Sequence, residues 1–331
     1  MRRFLKWLII IVFCVALYYG FTEYRSLRMP GRSYAGTLEP LDNFQSRVRD
    51  HLHEHVLALS QQIGERNLQH YDRLEAAASY IRNSLQQQDY QVQEQDYSVS
   101  GKTCRNLYAT LEGTDKSKGI VVIGAHYDSV ARSPGADDNA SGVAAVLELA
   151  RILKTEAPTQ SIMFAFFPNE EPPYFQTKDM GSLVLAHEFA WKKLPISAMV
   201  SIESIGYYSD QPGSQKYPSG IASFYPTTGN FIAFVSDLHS RRPLHAAISE
   251  FRRSTHFPSE GATFPSWVEG VGYSDQWSFW QAGYPALMVT DTVPFRYPYY
   301  HTANDTPDKL DYDKMARVVV GLKHVAMKLT E

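Results

Sequence analysis

Residues 124–142, with the sequence GAHYDSVARSPGADDNASG, constrain the fold more than any other part of the chain. They follow an apolar, β-branched run at 120–123 and precede a helix-like run at 143–153. This order predicts a buried strand, a loop and a helix, and open α/β sheets bind ligands at such strand ends. The loop carries His126, Asp128, Asp137 and Asp138. These residues suit a metal ion, although aspartates are also common turn formers.

Apolar runs of strand length alternate with helical patterns along the rest of the chain. Strand patterns occupy 90–92, 97–99, 106–111, 120–123, 161–167, 197–202 and 285–289. Helical patterns occupy 41–63, 74–85, a run that starts near 140, 180–191, one or two helices within 231–253, and 315–329. The alternation predicts an α/β fold with a mostly parallel central sheet flanked by helices.

The N-terminus carries an uncharged apolar run at 7–21, preceded by Arg2, Arg3 and Lys6. We interpret residues 1–22 as a transmembrane anchor, 23–40 as a polar linker and 41–331 as one catalytic domain. A cleaved signal peptide is the alternative, but bulky residues follow the small-x-small sequence at 14–16. Positive charges on both sides of the run leave the membrane orientation open.

Composition excludes some classes of function and of metal site. The formal net charge of −3 argues against a nucleic-acid partner. The two cysteines are Cys14, in the apolar run, and Cys104, so the body of the chain has no possible disulfide. Any metal site must therefore use histidines and carboxylates.

Further acids and a histidine follow the predicted strands. Glu170 and Glu171 come shortly after the 161–167 strand, Glu203 follows the 197–202 strand, and His301 lies in a tyrosine-rich loop. Each has an ordinary explanation by itself, as a solvated, paired or packed side chain. Parallel strands place their carboxyl ends along one edge, however, so together these residues predict a shared site.

Five segments resemble the co-catalytic dizinc aminopeptidases, the family that includes secreted bacterial leucyl aminopeptidases and glutamate carboxypeptidase II. They are GAHYDSV, SPGADDNASG, FFPNEEPPYFQT, SIESIGYYS and YHTANDTPDKLDY, which occur in the family's order over roughly residues 60–331. The resemblance implies a zinc exopeptidase-like domain at 41–331 that binds two zinc ions and hydrolyses peptides.

The resemblance also implies roles for individual residues. It implies that His126 and Glu203 bind the first zinc, that Asp138 bridges, and that Glu171 and His301 complete the second site. Asp137 matches a variable position and is not assigned as a ligand. Glu170 falls at the position of the general base, and the Asp138–Asn139 peptide bond is expected to be cis.

Two further residues have expected supporting roles. Asp128 is placed to accept the second ring N–H of His126, and Tyr300 to donate a hydrogen bond to the oxyanion. Gln276 departs from the family, where relatives often carry histidine, so a secondary contact is expected to differ. The cluster formed by Arg241, Arg242, Arg252 and Arg253 is expected to be a solvated helix face.

The sequence therefore favours a membrane-anchored zinc aminopeptidase whose catalytic domain lies outside the cytoplasm. Its expected substrates are peptides with a free N-terminus, and the many tyrosines and phenylalanines near the motifs slightly favour an apolar first residue. The alternatives are a glutaminyl cyclase-like acyltransferase with a single zinc and a non-catalytic, receptor-like ectodomain. The two histidines, His126 and His301, and the Glu170–Glu171 pair favour the hydrolase over the cyclase. The presence of all five ligand positions argues against the receptor-like ectodomain.

Overall fold

An eight-stranded sheet forms the centre of the computed structural model, which describes residues 26–331. Its strands lie in the order β1-β2-β4-β3-β5-β8-β6-β7. They are β1 (Gln93–Val99), β2 (Lys102–Leu111), β3 (Ile120–His126), β4 (Ser161–Phe167), β5 (Ile196–Glu203), β6 (Ile232–Ser236), β7 (Ser259–Thr263) and β8 (Ala286–Thr290). Strands β4, β3, β5 and β8 are parallel neighbours, which places their carboxyl ends at one edge.

The prediction of an α/β fold flanked by helices is confirmed, but the sheet is mixed rather than mostly parallel. Strands β1, β2 and β4 pair antiparallel, and β6 enters antiparallel to β8 before it pairs in parallel with β7. The parallel strands β3, β4 and β5 carry the carboxyl ends at which the site residues were predicted to lie. The antiparallel additions therefore widen the sheet without moving those ends.

Helices cover both faces of the sheet and bury separate apolar clusters. They are α1 (Asn43–Val56), α2 (Tyr71–Gln87), α3 (Gly142–Leu153), α4 (Gly181–Trp191), α5 (Arg241–Ser254), α6 (Gln276–Gln281), α7 (Val293–Arg296) and α8 (Tyr312–Leu329). Alternation along β3 shows the two faces, because Val121 and Ile123 join the larger cluster while Val122 joins the smaller one. Helices α4 and α6 cover the smaller cluster.

The region 231–253 and strand β7 differ from the sequence expectation. The segment expected to hold one or two helices is strand β6 followed by α5, because its short apolar run FIAFVS fits either state without its neighbours. Strand β7, with the sequence SEGAT, has almost no β-favouring residues and was not predicted. Strands β6 and β7 belong to the outer part of the sheet, where pairing with neighbouring strands decides which segments become strands.

The predicted anchor at 1–22 lies outside the described residues. Within residues 26–331, no helix combines the length and the apolar character needed to cross a membrane. The domain boundaries stay a prediction, although residues 26–34 of the predicted linker lie against β7. Ser259 donates its backbone N–H to Ser33, and Tyr34 stacks on His256. Arg252 donates to the carbonyl of Pro30, so it is not the solvated side chain that was expected.

Arg66 joins the loop after β3 to the turn that follows α1. Its side chain is fully buried and donates to the carbonyl oxygens of Tyr127 at 2.7 Å, Pro134 at 2.6 Å and Gly135 at 2.9 Å. Gly135 has φ of +61°, a conformation that favours glycine. Burial lowers the pKa of Arg66 to about 10, so the guanidinium remains charged at neutral pH. This side chain fixes the path of the predicted metal loop.

We expect Arg66→Met to lower the free energy of unfolding by about 3 kcal/mol or more, because it leaves several buried carbonyl groups without a donor. Chemical denaturation monitored by circular dichroism would measure the change. The matched control is Arg73→Met, an exposed arginine on α2, which should change stability by less than about 0.5 kcal/mol. Equal stability of the two variants would contradict the role given to Arg66.

Candidate metal centre

The parallel strands bring the predicted site residues to one edge of the sheet. His126 is the last residue of β3, Glu203 is the last residue of β5, and Glu170 and Glu171 follow β4. Asp138 lies in the irregular turn between β3 and α3. His301 comes from the loop after α7, so residues far apart in sequence meet in one place.

His126, Asp138 and Glu203 form the first group of candidate ligands. The Nε2 atom of His126 lies 3.3 Å from Asp138 Oδ1 and 3.2 Å from Glu203 Oε2. All three side chains are buried, with His126 only 1% exposed. Imidazole nitrogen and carboxylate oxygen are ligands that zinc accepts, so the group could hold a metal ion.

Asp138, Glu171 and His301 form a second group. The Nε2 atom of His301 lies 3.1 Å from Asp138 Oδ2 and 3.1 Å from Glu171 Oε2. The two groups therefore share Asp138 and use different oxygens of its carboxylate. This is the arrangement of a carboxylate that could bridge two metal ions.

The donor atoms of the second group lie within ion-pair distance of one another. His301 Nε2 is buried and makes no hydrogen bond within the described part of the chain, despite its two near carboxylates. Burial would lower the pKa of His301, but Asp138 and Glu171 raise it to about 10. Burial raises the pKa of Glu171 to about 8, and Asp138 adds to this effect. Bound metal would replace such protons, so the donor set fits a cation.

Asp128 supports both the histidine and the glutamate pair. Its Oδ1 lies 3.3 Å from Nδ1 of His126, the contact expected from sequence. It also accepts the backbone N–H groups of Glu170 and Glu171, each at 3.1 Å. Glu170 belongs to neither ligand group, and its Oε2 lies 3.9 Å from His126 Nε2. Burial raises the pKa of Glu170 well above its usual range, although His126 opposes this.

Sequence reasoning missed the residues that hold the loop containing Asp138. Asp305 accepts the backbone N–H groups of Asp137 and Asp138 at 2.8 and 3.2 Å. Asn139 donates to the carbonyl of Ile202 at 2.9 Å and accepts the N–H of Gly142. The Asp138–Asn139 peptide bond is cis, as the resemblance implied. Asp305 lies in the YHTANDTPDKLDY segment, but nothing in that segment indicates its partner.

Glu203 has its own supporting residues. Ser274 donates to Oε2 at 2.7 Å and Ser204 donates to Oε1 at 2.9 Å. Gln276, where relatives often carry histidine, is fully buried and donates to the carbonyl of Val271 at 3.0 Å. Its neighbour Asp275 is also fully buried, and burial raises the pKa of this carboxyl to about 7. The serines were not predicted, because a lone serine carries no sequence signal.

Two adjoining cavities open at the candidate ligands. The first, about 130 Å³, is lined by Asp138, Glu170, Glu171, Pro172, Phe175, Glu203, Tyr273, Tyr300 and His301. The second, about 110 Å³, is mostly apolar and shares Glu203, Tyr273 and Tyr300 with the first. Tyr300 stacks on His301 with ring centroids 3.7 Å apart. A ligand at the metal centre could therefore extend a side chain into the apolar cavity.

Comparison with known proteins identifies the family. Residues 106–325 match the model of peptidase family M28. The uncharacterized protein YfbL of Escherichia coli K12 is 37% identical over 285 residues, which cover 82% of this chain and 86% of that protein. The probable leucine aminopeptidase 1 of Trichophyton verrucosum is 29% identical over 236 residues, and the match covers 65% of this chain and 56% of that protein.

Solved structures show the same fold at lower sequence identity. The LapA aminopeptidase of Legionella pneumophila has a TM-score of 0.65 at 20% identity, over 89% of this chain and 77% of its own. The glutaminyl cyclase of Fimbriiglobus ruber has a TM-score of 0.63 at 19% identity, over 89% and 98%. The zinc aminopeptidase BSAP of Bacillus subtilis has a TM-score of 0.63 at 15% identity, over 84% and 93%.

The family model covers the strand ends, the turn with Asp138 and the His301 loop, which are the parts that form the candidate site. The sequence similarity to this family and the histidines and carboxylates that meet at the candidate site indicate the same class of enzyme. The chain belongs to peptidase family M28 and is a hydrolase of the metallo-exopeptidase class.

Proposed function

We propose that the protein is an aminopeptidase that removes the N-terminal residue of peptides by hydrolysis at a centre of two zinc ions. The observation that supports this best is the pair of ligand groups that share Asp138. Similar proteins include a probable leucine aminopeptidase and a zinc aminopeptidase. The substrates are peptides, as the family membership implies.

In this proposal His126 and Glu203 hold the first zinc, Glu171 and His301 hold the second, and Asp138 is common to both. Zinc ions bound there would polarise the scissile carbonyl and lower the pKa of water at the site. Asp128 keeps the His126 ring oriented through its contact with Nδ1, and it fixes the backbone from which Glu170 and Glu171 extend. The protein thus holds its donors in place before metal binds.

Glu170 acts as the general base. Its carboxylate takes a proton from the water whose oxygen attacks the carbonyl carbon, and then gives that proton to the nitrogen as the C–N bond breaks. Its position outside both ligand groups and its burial support this role. Tyr300 borders both cavities and is placed to donate to the oxyanion.

Charge favours a free N-terminus over a free C-terminus. The described residues that line the metal cavity include four carboxylates and no lysine or arginine that could bind a substrate carboxylate. A protonated α-amine can instead donate to Glu170 and to Glu203. This distribution supports aminopeptidase rather than carboxypeptidase action.

A glutaminyl cyclase-like acyltransferase with a single zinc is the second candidate, because the F. ruber enzyme has a similar fold. Two complete ligand groups favour the hydrolase. The same completeness disfavours a receptor-like ectodomain without catalysis. Metal content separates the three functions.

Two peptides that are identical except for a free or an acetylated N-terminus test which end of the substrate is cleaved. We expect the full-length, zinc-loaded protein to cleave only the free form, because acetylation removes the charge that the acids would bind. Mass spectrometry of the products identifies which residue is released. Equal cleavage of both peptides, or release of C-terminal residues alone, would exclude aminopeptidase action.

The Glu170→Gln variant should keep its metal and lose about 10²- to 10⁴-fold in kcat, the range for loss of a general base. The matched control is Glu112→Gln, an exposed glutamate paired with Lys116 just after β2, which should leave kcat unchanged. Both variants are compared at equal zinc content by elemental analysis. Near-normal turnover of metal-loaded Glu170→Gln would remove this residue from the mechanism.

Metal stoichiometry tests the shared carboxylate. Elemental analysis of the dialysed protein should give about two zinc ions per chain, and His301→Ala about one. Asp138→Ala should lose affinity at both positions, whereas Asp115→Asn, at a partly exposed position away from the site, should not. One zinc in the unaltered protein would favour the cyclase-like function, and two zinc ions in Asp138→Ala would rule out bridging.

We also propose that residues 1–22 anchor the protein in a membrane with the catalytic domain outside the cytoplasm. The uncharged run at 7–21 supports this proposal. After cell fractionation the full-length protein should sediment with membranes, and replacing two central residues of the run with lysine should release it. A soluble protein with an intact N-terminus would refute the anchor.

A further inference from the structure

The apolar cavity beside the metal centre has a carboxylate at its far end. Its floor is the outer part of the sheet, where Glu203 pairs with Thr290, Thr290 with Ala233, and Ala233 with Glu260. Side chains at paired positions point to the same face, and all four residues line the cavity. Glu203 and Glu260 are thus the two ends of one row across strands β5, β8, β6 and β7.

This row fixes the length of the cavity. Three strand spacings of about 4.8 Å separate the backbones of Glu203 and Glu260 by about 14 Å. A substrate held by its α-amine at the metal centre would place its first Cα several ångströms into this span. A lysine stem of four methylenes covers about 6 Å more and leaves its ammonium within hydrogen-bond reach of Glu260. A leucine side chain would end about halfway.

The charges in the cavity favour a cation. Glu260 and Glu269 line it in addition to the candidate metal ligand Glu203, and the described lining residues include no lysine, arginine or histidine. Arg252, which does not line the cavity, forms a long ion pair with Glu260, with its Nη2 3.9 Å from Glu260 Oε2. Its N–H groups donate to Ser259 and to the carbonyl of Pro30. The Ser33 side chain also hydrogen-bonds to Glu260, but an ionised carboxylate has about four acceptor sites, so Glu260 retains capacity to accept a hydrogen bond from a ligand.

The remaining walls suit the stem of a long side chain. Tyr217, Tyr225, Phe264 and Phe295 line the cavity, while Ala233 and Ala262 keep its floor open. Lysine and arginine commonly bury their methylenes against apolar surface and direct the charge to a polar group. The side chain of Glu260 is only 23% exposed in the folded protein, so it loses less water on binding than a fully exposed carboxylate would.

We propose that this cavity selects an N-terminal lysine or arginine, with Glu260 as the residue that binds the cationic end. The proposal rests on the aminopeptidase function proposed above and names its substrate class. It replaces the slight preference for an apolar first residue that the sequence suggested. Glu260 touches the side chain and not the reacting atoms, so it determines specificity rather than catalysis.

The test compares peptides that differ only in the first residue, lysine or norleucine, since norleucine has the same stem without the ammonium. We expect kcat/KM for lysine to exceed that for norleucine by at least about tenfold, because a charge-assisted hydrogen bond contributes this much. Glu260→Gln should reduce the ratio to near one, and Glu260→Asp, which shortens the side chain, should reduce it partly. The control Glu250→Gln, on α5 and outside the cavity, should leave the ratio unchanged.

A binding measurement separates this proposal from the proposed function. Calorimetry on the full-length, zinc-loaded Glu170→Gln protein should give tighter binding of lysinamide than of norleucinamide, and the added Glu260→Gln change should remove the difference. If no peptide is cleaved, the aminopeptidase function is ruled out. The comparison of lysinamide with norleucinamide binding still tests whether the cavity binds a cationic side chain through Glu260. Equal binding of the two amides, or a lysine-to-norleucine ratio that Glu260→Gln does not change, would overturn the assignment.

Discussion

The concentration of buried negative charge at one edge of the sheet is the constraint on which the rest of the structure depends. The buried acids there are Asp128, Asp137, Asp138, Glu170, Glu171, Glu203, Asp275, Asp291 and Asp305. Such groups cannot all be ionised at close range without compensation. Burial raises the pKa of Asp291 to about 7 and of Asp305 to about 6. The fold compensates with backbone N–H groups and with two buried arginines, Arg66 and Arg296, and metal ions would supply the rest.

This constraint explains why supporting residues come from distant parts of the chain. Asp305 binds the backbone of Asp137 and Asp138 across a sequence separation of 168 and 167 residues. Arg66 holds the same loop through the carbonyl oxygens of Pro134 and Gly135. A loop fixed at several points presents Asp138 at one position, which is what a carboxylate common to two metal ions requires. Metal binding is therefore expected to stabilise the fold as well as to enable the chemistry.

The sequence predicted the parallel centre and the candidate ligands better than the surrounding structure. The apolar run SIMFAFF forms the buried strand predicted for it, and the chemistry of His126 or Glu203 is visible at the strand end. The outer strands could not be predicted in this way, because SEGAT becomes a strand only through pairing with β6. Hydrogen bonds such as that from Ser274 to Glu203 depend on tertiary structure and leave no local pattern. The residues that form the apolar cavity belong to this less predictable part.

Residues 26–34 give the catalytic domain a protected edge. Strand β7 is the last strand of the sheet, and its outer side would otherwise offer unpaired backbone groups to another chain. Ser33 accepts the backbone N–H of Ser259, and Met29 packs close to Gly261. A protein shortened to the start of α1 would lose this cover and expose β7 to edge-to-edge association. Residues 26–34 therefore contribute to keeping the protein from associating through its sheet.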